Sequence, residues 1–342
     1  MTKAFRIFET ILATLLGIAG PTVSSAQDFY ANKQIQFIIR SEAGSGYDQY
    51  SRLLGKYMSR HIPGAPGMLY INMPGSGGLT AANYVANRAP KDGSILTMVG
   101  QGLPADQAMG LNKSLQADMN AFNWVGNVTA SNQLLITWHT SKIKTLLEAQ
   151  SNTTVFGAAG AGSISVQLPN SFNSILGTKF KVIIGYNGTG ELLLAMERGE
   201  IDGADFTWSS LKAMRPEFMT KKLVNFVAQI GLEKEVYLPE VPLMRDLAKT
   251  PEEKSVADYI SKSVTVGRPV ATTPGVSPER VAILRLAFDE AVRDPGYVSE
   301  AEKQNLELKP MSGLALQQLI KELIEAPPGI LDLVRRAMQG QK

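Results

Sequence analysis

After Tyr30 the chain alternates short apolar runs with amphipathic stretches, and four of the apolar runs open into a glycine-rich turn of small residues. That rhythm is the pattern of mostly parallel sheets covered by helices, because parallel neighbours need a crossover between them. Residues 35–39 read as a buried strand. Residues 48–61 then read as a helix with Leu53, Leu54, Tyr57 and Met58 on one face, ended before Pro63-Gly64. Residues 68–73 read as a second strand, 79–89 as a second helix and 95–99 as a third strand, with Pro90, Lys91, Asp92 and Gly93 turning between the last two. A second series follows, with strands at 125–128, 134–138, 154–157, 182–185 and 223–230 and a short helix at 145–150. From Leu243 the chain reads as mostly helical, most clearly at 278–293, 313–324 and 330–338, and Ser277-Pro278 is a sound helix start.

At 342 residues the chain is long enough for two cores. No repeat or low-complexity linker separates the halves, so the boundary is expected to be chain crossings, near 126–129 and 229–231. One lobe then comprises residues 27–128 with 231–342, and the other residues 129–230.

The N-terminus reads as a secretory signal peptide over residues 1–26. Lys3 and Arg6 precede an apolar run at 11–19, then Gly20, Pro21 and the small residues Ser24-Ser25-Ala26, with cleavage expected after Ala26. The run is shorter than the roughly 20 residues that span a bilayer. The chain has no cysteine, which removes disulfides, thiolate metal sites, a cysteine nucleophile and lipid attachment through an N-terminal cysteine. The exported product is therefore expected to be free in solution. The formal charge is +3, from 34 basic and 31 acidic residues without a block of one sign, so no nucleic-acid partner is expected.

The four turns share one design: a strand, small residues, then a helix start. They are Gly44-Ser45-Gly46-Tyr47-Asp48, Gly75-Ser76-Gly77-Gly78, Gly160-Ala161-Gly162-Ser163 and Tyr186-Asn187-Gly188-Thr189-Gly190. Helix starts leave N–H groups unpaired and carry partial positive charge, and glycine lets backbone approach a ligand closely. Such turns suit a phosphate or carboxylate. Any one of them is explained as well by a tight connection; two from each lobe favour binding. The third approximates a dinucleotide fingerprint but lacks its last glycine and the acidic residue expected about 20 residues on. No turn has the lysine and hydroxyl pair of a P-loop.

Nothing in the sequence calls for catalysis, a cofactor or a metal. The two histidines, His61 and His139, have no partner at catalytic or zinc spacing. Glu197, Glu200 and Asp202 read as a solvated helix-to-strand connection.

Several long stretches resemble one family. They are Phe29-Tyr30-x-x-Lys33-x-Ile35, Gly44-Ser45-Gly46-Tyr47-Asp48-x-Tyr50-Ser51-Arg52-Leu53-Leu54, and Asn72-Met73-Pro74-Gly75-Ser76-Gly77-Gly78-Leu79 with Ala81-Ala82-Asn83-Tyr84. Ala89-Pro90-Lys91-Asp92-Gly93, Arg268-Pro269, Thr273-Pro274-Gly275-Val276-Ser277-Pro278-Glu279-Arg280-Val281 and Arg293-Asp294-Pro295 also fit. Over its whole mature length the chain resembles the Bug/TctC-type solute receptors of tripartite tricarboxylate transport systems. The resemblance implies a two-lobed, periplasmic-binding-protein-like α/β fold with a ligand cleft between the lobes. It implies a periplasmic protein that closes on a small organic carboxylate and docks on membrane-embedded transporter subunits. A monomer is expected.

Carried over, the carboxylate loops are Ala43, Gly44, Ser45, Gly46, Tyr47 and Asp48, and Gly75, Ser76, Gly77, Gly78 and Leu79. From the opposite lobe come Ala161, Gly162, Ser163 and Ile164, then Tyr186, Asn187 and Gly188, with Trp208 and Ser209. Tyr47, Tyr186 and Trp208 are the expected apolar wall. Two departures stand out: Arg40-Ser41-Glu42-Ala43 replaces an apolar, proline-rich run, and Tyr47 replaces a small residue. Arg40 suits a second ligand carboxylate and equally a pair with Glu42 or an exposed acid. Asp48 suits a ligand ammonium, or simply the first turn of a helix. An exported enzyme and a ligand-sensing partner of a membrane signalling protein are the rival readings.

Overall fold

The computed structural model describes residues 29–159, 163–186 and 188–341. The expected signal peptide and the expected site residues Ala161, Gly162 and Asn187 lie outside the described residues. Two sheets carry the fold. The first has the order β11-β4-β10-β3-β1-β2, from β1 (Gln34–Ile39), β2 (Gly67–Asn72), β3 (Ile95–Met98), β4 (Asn123–Asn127), β10 (Pro269–Thr272) and β11 (Met311–Ser312). The second has the order β7-β6-β8-β5-β9, from β5 (Gln133–Trp138), β6 (Thr154–Ala158), β7 (Phe180–Ile184), β8 (Gly203–Thr207) and β9 (Val224–Ile230).

The two orders are one order used twice. β2-β1-β3-β10-β4 in the first sheet matches β7-β6-β8-β5-β9 in the second. In each, the fourth strand is the one that arrives from the other sheet. β5 follows β4 across, and β10 is the first strand after β9. The expected parallel pairing holds for β1 with β2 and β3, and for β6 with β7 and β8. The strands β10, β11 and β5 pair antiparallel instead. β5 and β10 reach their sheets by crossing from the other one rather than by a βαβ turn within a single sheet, so the parallel direction is not imposed on them.

Helices α1 (Gly46–His61), α2 (Leu79–Asn87) and α3 (Leu103–Met109) follow the first three strands. α4 (Leu146–Ser151), α5 (Ile164–Leu176), α6 (Thr189–Glu197), α7 (Trp208–Met214) and α8 (Pro216–Thr220) belong to the second sheet's stretch of chain. The C-terminal part adds α9 (Met244–Leu247), α10 (Pro251–Thr265), α11 (Pro278–Ala291), α12 (Pro295–Lys303), α13 (Gly313–Ile324) and α14 (Pro328–Met338).

Local chemistry explains α1. Ser45 caps it by accepting from the Asp48 N–H, Asp48 occupies the first turn, and Arg60 and His61 occupy the last. Its face of Leu53, Leu54 and Met58 packs with Phe37, Ile39, Leu284 and Phe288, between the first sheet and α11. Each such side chain contributes about 1.5–3 kcal/mol on burial. The opposite face of the first sheet belongs to a longer core that runs through α10, α13 and α14 to Phe156, Phe172 and Phe180 around the second sheet. α14 rests on α5, where Asn170 Nδ2 donates to Met338 O at 3.2 Å. Among the described residues, no helix is long and apolar enough to cross a membrane.

Candidate functional site

The carboxyl ends of β1, β2 and β3 release the chain into three turns that meet at one cavity of about 320 Å³. Arg40 and Tyr47 come from the first turn, Gly77 from the second, and Gly100, Gln101 and Gly102 from the third. The second sheet supplies Thr207 and Ser210 at the start of α7, and the returning strand supplies Arg268 at the edge of β10. The cavity therefore lies between the two sheets, where strand ends face each other.

The first turn is held from within. Asp48 is buried, and its Oδ2 accepts from the Gly44 N–H at 2.8 Å. Its Oδ1 accepts from Arg52 Nε at 2.8 Å and from Asn72 Nδ2 at 2.9 Å. Burial would raise this carboxyl, but the hydrogen bonds from Gly44, Asn72 and Arg52 outweigh it and hold it below the ordinary carboxylate value. Asn72 ends β2 and also donates to Ser41 O at 2.8 Å, which ties the first turn to the second. The oxygens of Asp48 are thus engaged in fixing the loop.

The second turn needs glycine. Gly75, Ser76, Gly77 and Gly78 all have positive φ, from 47° to 138°, the region where Cβ crowds the backbone. A Cβ on Gly78 would run into the Arg40 guanidinium. Arg40 lies alongside, and its Nη2 donates to Gly77 O at 2.5 Å.

Tyr47 stands between two cations. The Arg40 and Arg268 guanidinium carbons each lie 4.2 Å from its ring centroid, well inside cation–π range. Its hydroxyl accepts from the Gln101 N–H at 3.4 Å. Burial would raise the Tyr47 phenol, yet Arg268, Arg40 and the Gln101 hydrogen bond bring it below its ordinary value. Asp106 also lines the cavity, and burial raises its carboxyl. Opposite, Thr207 Oγ1 donates to Ser210 Oγ at 2.6 Å and accepts from the Ser210 N–H at 3.1 Å. Glycine backbone, two guanidiniums and hydroxyls make a polar chamber that suits a small anion.

A family model described as "Tripartite tricarboxylate transporter family receptor" matches residues 58–332. The chain belongs to this family. Family and fold are those of solute-binding proteins of the TctC/Bug type, which are periplasmic binding proteins. The receptor is similar to a TctC solute binding protein from Polaromonas, solved without ligand, at a TM-score of 0.72 and 19% identity over 90% of this chain and 99% of that one. It is also similar to MatC from Rhodopseudomonas palustris with bound malate, at a TM-score of 0.61 and 21% identity over 88% of this chain and 99% of that one. A curated relative from Agrobacterium vitis, the "UPF0065 protein in the TAR-I ttuE-ttuC' intergenic region", is 27% identical over 239 residues. That match covers 68% of the receptor chain and 65% of the relative's length.

Of the residues expected at the receptor's site, Tyr47 and Gly77 line the cavity. Ala43, Gly44, Ser45, Gly46, Asp48, Gly75, Ser76 and Gly78 belong to the same two turns and hold their shape, whereas Leu79 packs into the core. From the other sheet, Ser163 Oγ is 2.8 Å from Ser165 Oγ at the start of α5. Ile164 lines an adjoining space of about 170 Å³ beside α10, which shares Gln101, Gly102 and Asp106 with the cavity. Tyr186 packs over Gly157 of β6, and Gly188 precedes α6 at φ 136°. The Trp208 ring is buried and stacks on Tyr237 at 5.7 Å, so its bulk serves the core of the second sheet. Ser209 Oγ donates to Thr207 Oγ1 at 3.2 Å.

Sequence reasoning missed Gly100, Gly102, Thr207, Ser210 and Arg268 as cavity residues. A usable signal existed for the first pair: Gly100-x-Gly102 follows the third strand and precedes Pro104, the same strand–glycine–helix design as the other turns.

Proposed function

We propose that this receptor captures a small carboxylate in the cavity between its two sheets and catalyses no reaction. It is exported by the signal peptide at residues 1–26 and works in the periplasm. Its two lobes, residues 27–128 with 231–342 and residues 129–230, close over the ligand about the crossing strands. The closed form then docks on the membrane-embedded subunits of a tripartite transporter. One observation carries the reading: glycine turns and the guanidiniums of Arg40 and Arg268 meet in a chamber of about 320 Å³ walled by both sheets. The malate bound by MatC supports the same ligand class.

The histidines favour this reading over an enzyme. His61 Nδ1 is 3.3 Å from Glu290 and its Nε2 is 3.4 Å from Asp294, whereas the His139 ring packs tilted against Trp138 at 5.0 Å. Neither lines the cavity.

The test is thermal unfolding of the mature protein, refolded to strip ligand, against mono-, di- and tricarboxylates and amino acids. A ligand at about 100 times its Kd stabilises by about 2.7 kcal/mol. A carboxylate is expected to raise the midpoint. A shift produced only by neutral or cationic solutes would overturn the assignment.

A further inference from the structure

Arg40 and Arg268 approach one aromatic ring from opposite ends of the chain. Each guanidinium carbon is 4.2 Å from the Tyr47 centroid, so their separation cannot exceed twice that distance. Arg268 also lies 5.6 Å from the Tyr50 centroid. Among the described residues, neither arginine has a carboxylate oxygen within ion-pair distance. Nε of each is buried without a hydrogen-bond partner. Arg40 spends one Nη2 hydrogen on Gly77 O. Guanidinium forks normally find carboxylates or phosphates, and buried unpaired donors are costly.

Asp106 lines the same chamber but forms no ion pair with either arginine, and burial raises its carboxyl. Glu42 follows Arg40 closely in sequence yet is exposed and forms no ion pair with it. Asp48 is buried and already accepts three hydrogen bonds, from Gly44, Arg52 and Asn72.

We propose that Arg40 and Arg268, mounted over Tyr47, form a subsite that reads the ligand's charge and selects doubly charged anions over monoanions and zwitterions. This rests on the receptor reading and adds to it the residues that set selectivity. The physical reason lies in closure. When the second sheet's Thr207 and Ser210 shut out water, a single carboxylate would leave one guanidinium unpaired in a dry chamber, whereas a dianion satisfies both. Backbone N–H groups of the glycine turns donate to any carboxylate and cannot make this distinction.

The experiment is titration calorimetry at pH 7.5 of the refolded protein with the α,ω-diacids from malonate to adipate, each beside the monoacid of equal chain length. The wild type is expected to bind its best diacid about tenfold to a hundredfold more tightly than the matching monoacid, the scale of a hydrogen bond to a charged group. Arg268→Gln is expected to weaken diacid binding more than monoacid binding, so that the ratio between the two affinities falls by about tenfold or more. Arg40→Gln makes the same measurement independently should the first variant not fold. Equal binding of diacid and monoacid by the wild type, or a preference that survives in a folded variant, overturns the subsite with the receptor reading intact. Binding of neither acid overturns both.

Discussion

Asp205 lies on β8 with its carboxyl buried and its Oδ1 without a partner. Burial pushes its pKa up to about 7, against a smaller opposing hydrogen bond from its own backbone. Below about pH 4 the group is neutral in folded and unfolded chains and costs nothing. Between about 4 and 7 the folded protein keeps a proton that the unfolded chain has lost, so its contribution to stability falls as pH rises. Above 7 the full cost of a buried charge is present, on the order of a few kcal/mol. Asp205→Asn is therefore expected to stabilise the protein at pH 8 and to change it little at pH 4.5. Denaturant midpoints at the two values check this, and an equal effect at both would sink the account. Taking the difference between variant and wild type isolates Asp205 from Asp106 and Glu307, whose carboxyls burial also raises.

Single residues differed in how much of their setting the sequence disclosed. Tyr47 and Gly77 could be placed because each sits in a turn whose glycines announce a strand end. Asp48 was open between two roles, and its engagement with Asn72 could not be foreseen, since β1 and β2 must first pair in register Ile39↔Asn72. Arg268 entered only within the family stretch Arg268-Pro269, with nothing to place it at the site. It reaches the chamber only because β10 returns to the first sheet between β3 and β4, a fact of topology that no window of neighbouring residues contains.

At the scale of elements, length and pattern decided what could be read. The long amphipathic α1 and the apolar β1, β5 and β9 carry periodicity over enough residues to be recognised. β10 spans only Pro269–Thr272 and opens with proline, and α3 spans only Leu103–Met109 behind two glycines. Tertiary pairing rather than propensity fixes such short pieces. β8 makes the point in energetic terms. Gly203 pairs with Thr137 of β5 on one side and with Phe156 of β6 on the other. A Cβ there would collide with Ile136 O and press on the Phe156 ring. The obstacle is backbone, so no rotamer change relieves it. Gly203→Ala is expected to lower unfolding stability by about 1–3 kcal/mol, the range for overpacked cores. A urea midpoint equal to wild type would show that β8 has room the packing denies.

At the scale of the molecule, the repeated strand order turns two sheets into two bodies joined where β4 leaves and β10 returns. Those segments are bonded to each other. Arg268 N–H donates to Thr129 O at 3.0 Å and to Asn127 Oδ1 at 2.8 Å, and Val128 N–H donates to Arg268 O at 3.1 Å. The cavity lies just beyond this junction, so the same residue that offers a guanidinium to the ligand is fixed by its backbone to the crossing. Against free motion stands α14, which packs on α5 of the second sheet although α13, before it, packs on β4 of the first. The chain between them, Glu325 to Pro327, must bend if the sheets move. Ligand that touches both sheets favours the closed arrangement by its extra contacts there. Small-angle scattering should therefore show a smaller radius of gyration with a saturating carboxylate than without it. The Thr207 and Ser210 hydroxyls are the second sheet's contribution to that preference, so replacing both with alanine is expected to weaken binding and to leave the liganded radius nearer the unliganded one. An unchanged radius in a wild type proven by calorimetry to be saturated would refute hinge closure and leave a receptor that binds in a chamber already formed.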